Sequence, residues 1–322
     1  MRSVSVRLHS CSLRHHFACQ QEFDIFTLIS LARAQGFDGV NISVDGPGFR
    51  HLGGTDSAHF ANVRDALIEH DLGVELDTGG TRPQHSHLLL EVAAALGADR
   101  LRTYTRHQGT PQDIRQRTLA DLRAAAERAS VTGVRIVLDN HENLRGHEVA
   151  EIVQRVDSDY VRALFDYGNS QMLGEDPLVA LQAVLPVVDA ARVKDHLLVN
   201  HAGELQVQGV AAGDGTLPLE ELTRRLYAAG LRQFCFENIW SCVAPLHKHA
   251  SELPDSAGFI VRDDQPLIDG ARLDPESAMA GERLALQRGW DWFDDLLTSI
   301  TRDEPSASAD KPYRDNTASG AN

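Results

Sequence analysis

Short β-type segments alternate with helical segments along the whole of this 322-residue chain, and no other feature limits its fold as strongly. Glycine stands at several junctions between a helical segment and the next β-type segment, where a left-handed helix cap is needed. Strands that alternate with helices across short links pair in parallel. The eight predicted strands cover residues 3–9, 39–43, 74–77, 100–104, 134–139, 161–166, 191–195 and 233–237.

Eight parallel strands are the number that closes a barrel, so the sequence predicts an α/β protein with a single (β/α)₈ barrel. A doubly wound open sheet is the alternative, but no GxGxxG motif follows the first strand. We assign residues 1–300 to the barrel and residues 301–322, which are rich in Ser, Asp and Ala, to a disordered tail. Residues 245–273, which carry many charges, are a candidate to fold over the barrel mouth.

Charge and composition argue against several classes of function. A net charge of −15 repels phosphate backbones, so no nucleic-acid partner is expected. The chain lacks any run of about eighteen apolar residues, and its first residues alternate instead of forming a secretory signal, so no membrane partner is predicted. Four cysteines without CxxC spacing are typical of a reducing cytoplasm. We expect a cytoplasmic protein with a small-molecule partner, either monomeric or homo-oligomeric.

Charged residues lie at the ends of the later predicted strands, on the barrel edge that carries the catalytic groups in this fold. Asp139 ends the fifth strand, Asp166 the sixth and Glu237 the eighth, while Arg192 and Lys194 lie on the seventh. Each carboxylate follows apolar residues, where an unpaired charge is costly. Three carboxylates at one mouth require a divalent ion, a basic side chain or a raised pKa, so we predict a catalytic site here.

Several motifs carry a family resemblance in their order and spacing. They are Gly36-Phe-Asp-Gly-Val, Leu96-Gly-Ala-Asp-Arg-Leu-Arg, Gly133-Val-Arg-Ile-Val-Leu-Asp-Asn-His-Glu-Asn, Phe165-Asp-Tyr-Gly-Asn-Ser, Glu175-Asp-Pro, Val193-Lys-Asp-His and Gly213-Asp-Gly-Thr. Between about Val4 and Trp240 the chain resembles the xylose isomerase-like TIM barrels of the sugar phosphate isomerase/epimerase family. This fold hosts many reactions, so the resemblance does not specify the substrate.

The resemblance implies a divalent ion, Mn²⁺ or Mg²⁺, held by carboxylates after strands five, six and eight and by a histidine on strand seven. Asp166 and Glu237 match that pattern, but Asp139 stands in place of a Glu and Arg192 in place of the His. In one interpretation Asp139, Asp166 and Glu237 still bind the ion, with water or His196 as the remaining ligand. In the other, the Arg192 guanidinium replaces the ion, because it is always charged but has no lone pair to donate.

The activity implied by the family is the transfer of a proton next to a carbonyl, with a cation that stabilises the ene-diolate. Glu237 and Asp139 are then the predicted proton carriers, and Lys194 or His141 the general acid. We expect an isomerase or epimerase of carbohydrate metabolism that acts on a small polyhydroxylated substrate. A lyase or dehydratase on the same scaffold is one alternative, and a ligand-binding relative without catalysis is another.

Overall fold

The computed structural model describes residues 4–141, 143–246, 248, 252–256, 259–263 and 265–302. The strands are β1 (Ser5–His9), β2 (Gly39–Ser43), β3 (Gly73–Asp77), β4 (Arg100–Thr103), β5 (Arg135–Asp139), β6 (Val161–Asp166), β7 (Val188–Val193), β8 (Asp195–His201), β9 (Glu204–Val210), β10 (Gln233–Phe236), β11 (Val243–Pro245) and β12 (Val261–Asp263). The helices are α1 (Arg14–Cys19), α2 (Ile25–Ala34), α3 (Ser57–Glu69), α4 (Pro83–Leu96), α5 (Pro111–Thr132), α6 (Gly146–Val156), α7 (Asn169–Met172), α8 (Pro177–Val184), α9 (Leu219–Ala228) and α10 (Pro275–Arg302).

Eight of these strands form a closed parallel barrel in the order β1-β10-β7-β6-β5-β4-β3-β2, which confirms the predicted fold. All five residues of β2 are buried, because the strands pack against helices outside and against one another's side chains within. The Arg7 side chain runs inside the barrel beside Gly39 and Gly73, where a larger residue would crowd it. The predicted tail lies almost entirely outside the described residues, which end at Arg302.

The closing helix α10 packs one of its two tryptophans against the segment between α2 and β2. Trp290 stacks on Phe37 with ring centroids 4.0 Å apart, and its indole N–H donates a 2.9 Å hydrogen bond to the Gln35 carbonyl. The helix thereby packs against the barrel next to the loop that precedes β2. Each helix in the described part of the chain is too short or too polar to span a lipid bilayer.

A second sheet, which the sequence analysis did not predict, follows β7 at the carboxyl end of the barrel. β8 and β9 pair as an antiparallel hairpin, and β11 and β12 extend it to the order β11-β9-β8-β12. The hairpin turns through Ala202 and Gly203, which both have positive φ, as a type I′ turn requires. Leu198, Leu205 and Val207 give the sheet an apolar cluster of its own. The sheet is an insertion beside the barrel mouth.

Candidate active site

Carboxylates and guanidinium groups alternate across the barrel mouth. Arg102 donates from Nε to Asp139 Oδ2 over 2.8 Å, and a second nitrogen of its guanidinium reaches the same oxygen. Arg102 also lies 3.4 Å from Asp77 Oδ1, and Asp77 in turn forms an ion pair with Arg192. All four side chains are buried. Each charge is therefore matched by an opposite charge, as a water-poor interior requires.

The arginines determine the ionisation of Asp77. Burial would raise the pKa of this carboxyl, but Arg102 and Arg192 outweigh burial and hold its pKa well below the usual range. The same attraction raises the pKa of Arg192 well above its ordinary value, chiefly through Asp77 and Glu237, although burial opposes it. Both groups stay charged at neutral pH.

Glu237 has looser contacts than the other carboxylates of the mouth. Its Oε1 lies 3.7 Å from His9 Nδ1 and its Oε2 lies 3.7 Å from Arg192, so both separations exceed a hydrogen bond. Its side chain keeps 12% of its surface exposed, whereas that of Asp139 is fully buried. Burial would raise the pKa of Glu237, but His9, Arg192 and Lys194 lower it to about 2. Glu237 is thus an ionised and reachable carboxylate.

Asp166 is paired through one oxygen. Its Oδ1 accepts hydrogen bonds from the backbone N–H groups of Gly168 and Asn169, and Lys194 lies 3.0 Å away. Its Oδ2 is buried and has no hydrogen-bond partner among the described residues. Burial raises the pKa of this carboxyl, Lys194 opposes that effect, and Asp139 adds to it. Asp166 therefore caps the turn after β6 and also presents one unused oxygen.

His141 lies against an aromatic ring at the same mouth. It stacks on Tyr104 with ring centroids 4.0 Å apart, and its buried Nδ1 has no partner within the described part of the chain. Burial and the positive charges of Arg102 and Lys194 lower the pKa of His141 to about 3. The imidazole is neutral at physiological pH and can accept or donate one hydrogen bond.

His196 contacts a glutamine and not the carboxylates of the mouth. Its Nε2 is hydrogen-bonded to Gln171 Oε1, and burial lowers its pKa to about 3. The preceding residue, Asp195, accepts hydrogen bonds from backbone N–H groups that include those of Gly213 and Gly215. Both side chains therefore hold the inserted hairpin and the loop after it.

The structure brings the predicted residues Asp139, Asp166, Arg192 and Glu237 into one connected network. Asn169 links two parts of it, because its amide donates to Asp139 over 3.3 Å and accepts a 2.6 Å hydrogen bond from Lys194. Four further residues at the mouth were not predicted as site residues from the sequence: Asp77, Arg102, Asn169 and Tyr104. Asp77 carried a usable signal, since it ends the third predicted strand as Asp139 ends the fifth.

At the position expected for a metal, two of the predicted ligands are paired with basic side chains. Asp139 already holds Arg102, and Asp166 already holds Lys194, so an ion placed between them would meet fixed positive charge. Arg192 supplies no lone pair. Within the described residues, one His/Cys/Asp/Glu group comes close enough to share an ion, and it consists of His9, Cys11 and Glu237.

Comparison with known proteins agrees with the architecture. The model of the family described as "xylose isomerase-like TIM barrel" matches residues 29–256. A curated relative, "Uncharacterized protein YihM" of Escherichia coli K12, is 26% identical over 204 residues, which cover 63% of this chain and 62% of the relative. The match therefore spans less than two thirds of that relative.

Solved structures with low sequence identity share the fold. D-psicose 3-epimerase of Clostridium cellulolyticum H10, with D-tagatose, has a TM-score of 0.65 at 13% identity and covers 92% of this chain and 99% of its own. A xylose isomerase-like protein of Mycobacterium smegmatis, in complex with magnesium, has a TM-score of 0.61 at 14% identity, covering 93% and 99%. The probable 3-DHS dehydratase AsbF of Bacillus anthracis has a TM-score of 0.57 at 15% identity, covering 72% and 92%.

Proposed function

Because this chain belongs to the xylose isomerase-like TIM barrel family, we propose that it is a sugar-modifying enzyme that moves a proton next to a carbonyl, as an isomerase or epimerase does. The observation that carries this proposal is the network at the mouth, where carboxylates for proton transfer lie beside fixed cations. A cation beside a carboxylate is what enolisation needs, since charge develops on oxygen as the carbon loses its proton. The substrate class is a small polyhydroxylated carbonyl compound, as in the epimerase with D-tagatose.

We assign proton abstraction to Glu237. It is the mouth carboxylate with the longest contacts to its cations, and it is partly exposed. Its pKa of about 2 in the free protein keeps it ionised but makes it a weak base. A substrate oxygen that binds Arg192 would draw that positive charge away from Glu237 and raise the pKa of the base as the reaction begins.

We assign stabilisation of the ene-diolate to the cations of the chain itself. Arg192 Nε is buried with no partner among the described residues, so it can donate to a substrate oxygen without losing another bond. Asp166 Oδ2 can likewise accept a bond from a substrate hydroxyl. Of the two interpretations of the site, this supports the one in which Arg192 replaces the metal ion.

A lyase or dehydratase is the second candidate, and the position of Asp139 favours it. An epimerase needs a proton carrier on each face of the carbon, but Asp139 is fully buried and held by Arg102 and Asn169. A reaction with one base and one general acid avoids this obstacle. Lys194, whose pKa is raised by Asp166 and Glu237 against the effect of burial, can act as that acid, and neutral His141 is the alternative.

The test is solvent proton exchange. The protein is incubated in D₂O with a panel of ketoses, keto-inositols and hydroxy-keto acids, and NMR follows deuterium incorporation, isomer formation and loss of water. Glu237→Gln should slow turnover of any accepted substrate by about 10²–10⁴-fold, the usual contribution of a general base. Glu204→Gln, an exposed residue on β9, is the matched control. Undiminished exchange in Glu237→Gln would remove Glu237 from the mechanism, and no exchange with any compound would favour a binding protein.

A further inference from the structure

Three side chains of different chemistry meet on the β1 side of the barrel mouth. His9 ends β1, Cys11 follows in the next turn, and Glu237 follows β10, the strand that pairs with β1. One ligand atom from each lies within 4.8 Å of the other two. We propose that His9, Cys11 and Glu237 bind a zinc-class ion, at a position distinct from the metal site that the family resemblance implies.

The distances need little adjustment to bind an ion. Bonds of about 2.0–2.3 Å from nitrogen, oxygen and sulfur to tetrahedral zinc place neighbouring ligand atoms about 3.3–3.8 Å apart. The separation between His9 Nδ1 and Glu237 Oε1 is already 3.7 Å. Cys11 lies on a short turn with a partly exposed side chain, so a rotation about its Cα–Cβ bond can bring the sulfur closer. The fourth position is open to water.

His9 has the surroundings of a metal ligand. A ligating imidazole usually gives the N–H on its other nitrogen to a carboxylate, which fixes the orientation of the ring. His9 Nε2 is buried, lies 3.4 Å from Asp77 Oδ2 and completes no hydrogen bond within the described residues. Its Nδ1 accepts a 3.0 Å hydrogen bond from the Cys11 backbone N–H. The ion would take the place of that N–H, and a small ring rotation would complete the bond to Asp77.

The composition of the site selects the kind of ion. Thiolate and imidazole favour zinc over magnesium or manganese, which prefer oxygen ligands. The ion, the Cys11 thiolate and the Glu237 carboxylate together carry no net charge once the thiol has released its proton, so the filled site places no excess positive charge beside Arg192. The predicted set for Mn²⁺ or Mg²⁺, Asp139 and Asp166 with Glu237, shares only the glutamate with this site. Binding does not depend on the proposed reaction, and it can be measured without a substrate.

The experiment uses Co²⁺ and Zn²⁺ as probes on the full chain after chelation. Co²⁺ should bind with a stoichiometry of one and give the near-ultraviolet charge-transfer absorption of a thiolate ligand. Cys11→Ser should abolish that absorption and weaken zinc binding by about 10-fold or more, while Cys19→Ser, an exposed cysteine outside the site, should change neither. His9→Asn should weaken binding to a similar degree while retaining a residue suited to the helix-capping role of His9.

A measurement on the unmodified chain covers the case in which a variant fails to fold. Zinc should slow alkylation of Cys11 by iodoacetamide, as read by mass spectrometry, and leave that of Cys19 unchanged. The proposal is overturned if Co²⁺ gives no thiolate absorption, if Cys11→Ser binds zinc as tightly as the parent chain, or if zinc protects both cysteines equally. None of these results bears on proton transfer by Glu237, which the exchange assay tests separately.

Discussion

Arg192 and Asp195 lie three residues apart and are both buried, but their side chains have different kinds of partner. Asp195 is surrounded by neutral donors, because its two oxygens accept hydrogen bonds from backbone N–H groups on both sides of the hairpin insertion. Arg192 belongs to the barrel mouth, where carboxylates meet guanidinium and ammonium groups. Strand alternation explains the difference, since Arg192 and Lys194 face the barrel interior and Asp195 does not.

The two regions show how the type of partner determines the charge of a buried carboxylate. Burial raises the pKa of Asp195 to about 7, because hydrogen bonds from neutral amides lower it only in part. Glu237 is mostly buried, but its positive neighbours outweigh that burial and bring its pKa to about 2. Backbone amides thus suit a residue that ties a loop in place. Fixed cations suit a residue that must be ionised when a substrate arrives.

Removal of Arg192 should be the most damaging single change in either region. Arg192→Met leaves Asp77 and Glu237 facing each other without their shared cation, and we expect the free energy of unfolding to fall by about 3–5 kcal/mol. Urea denaturation measures the loss. Arg155→Met, which breaks an exposed pair with Glu151, should cost less than about 1 kcal/mol. Equal losses in the two variants would mean that the mouth is as solvated as the surface.

Gly215→Ala should be the most damaging small change in the Asp195 region. A Cβ at this position would overlap the Asp195 carboxylate, so the loop would have to move and break its hydrogen bonds. Overpacking of this kind costs about 1–3 kcal/mol, measured by thermal or urea unfolding. Asp214 is the exposed residue next to Gly215, and Asp214→Ala should change the free energy of unfolding by no more than about 0.5 kcal/mol. If Gly215→Ala left the free energy of unfolding unchanged, the Asp195 contacts would not be what holds this loop.

The barrel was predictable because its signal is local and repeated. Each strand is a short apolar run followed by a helix, and eight such units leave closure as the simplest arrangement. The second sheet was missed because β8 and β9 lie between the seventh strand and α9, in a stretch for which no strand or helix was predicted. Their alternating pattern, with Leu205 and Val207 buried, together with the Ala202-Gly203 turn, is a hairpin signal.

The site was predictable only in part, because partners in the network are far apart along the chain. Asp139 was visible at a strand end and Arg102 lies within β4, but their pairing depends on the register of β4 against β5. Lys194 contacts Asp166 at the barrel mouth, whereas His196 contacts Gln171. This difference likewise depends on the position at which β7 ends, Val193, and the hairpin begins. Spacing alone does not carry this information.

The pH dependence of stability should separate the two regions. The folded pKa of Asp195, about 7, lies above its ordinary value of 3.8, so the folded chain holds a proton that the unfolded chain releases. Its contribution to stability therefore decreases as pH rises from about 4 to 7. Asp195→Asn should abolish this decrease, which is measured as the difference between the two unfolding profiles. Glu237→Gln should act at lower pH, because stability from an ionised Glu237 is lost as pH falls from 4.5 towards 2. If stability changed with pH in the same way in the parent chain and in both variants, the proposed difference between Asp195 and Glu237 would be wrong.

Metal removal should have the smallest effect on catalysis, and it tests whether the cations of the mouth act alone. If Arg192 and Lys194 stabilise the ene-diolate, chelation should leave the exchange rate of an accepted substrate undiminished. A metal-dependent enzyme would lose several kcal/mol of transition-state stabilisation. Added Mg²⁺ should change nothing, since Asp139 and Asp166 are already paired. Added Zn²⁺ should slow exchange, because it would compete for Glu237 beside His9 and Cys11. Activity lost on chelation and restored by Mg²⁺ would show instead that the reaction depends on a metal ion.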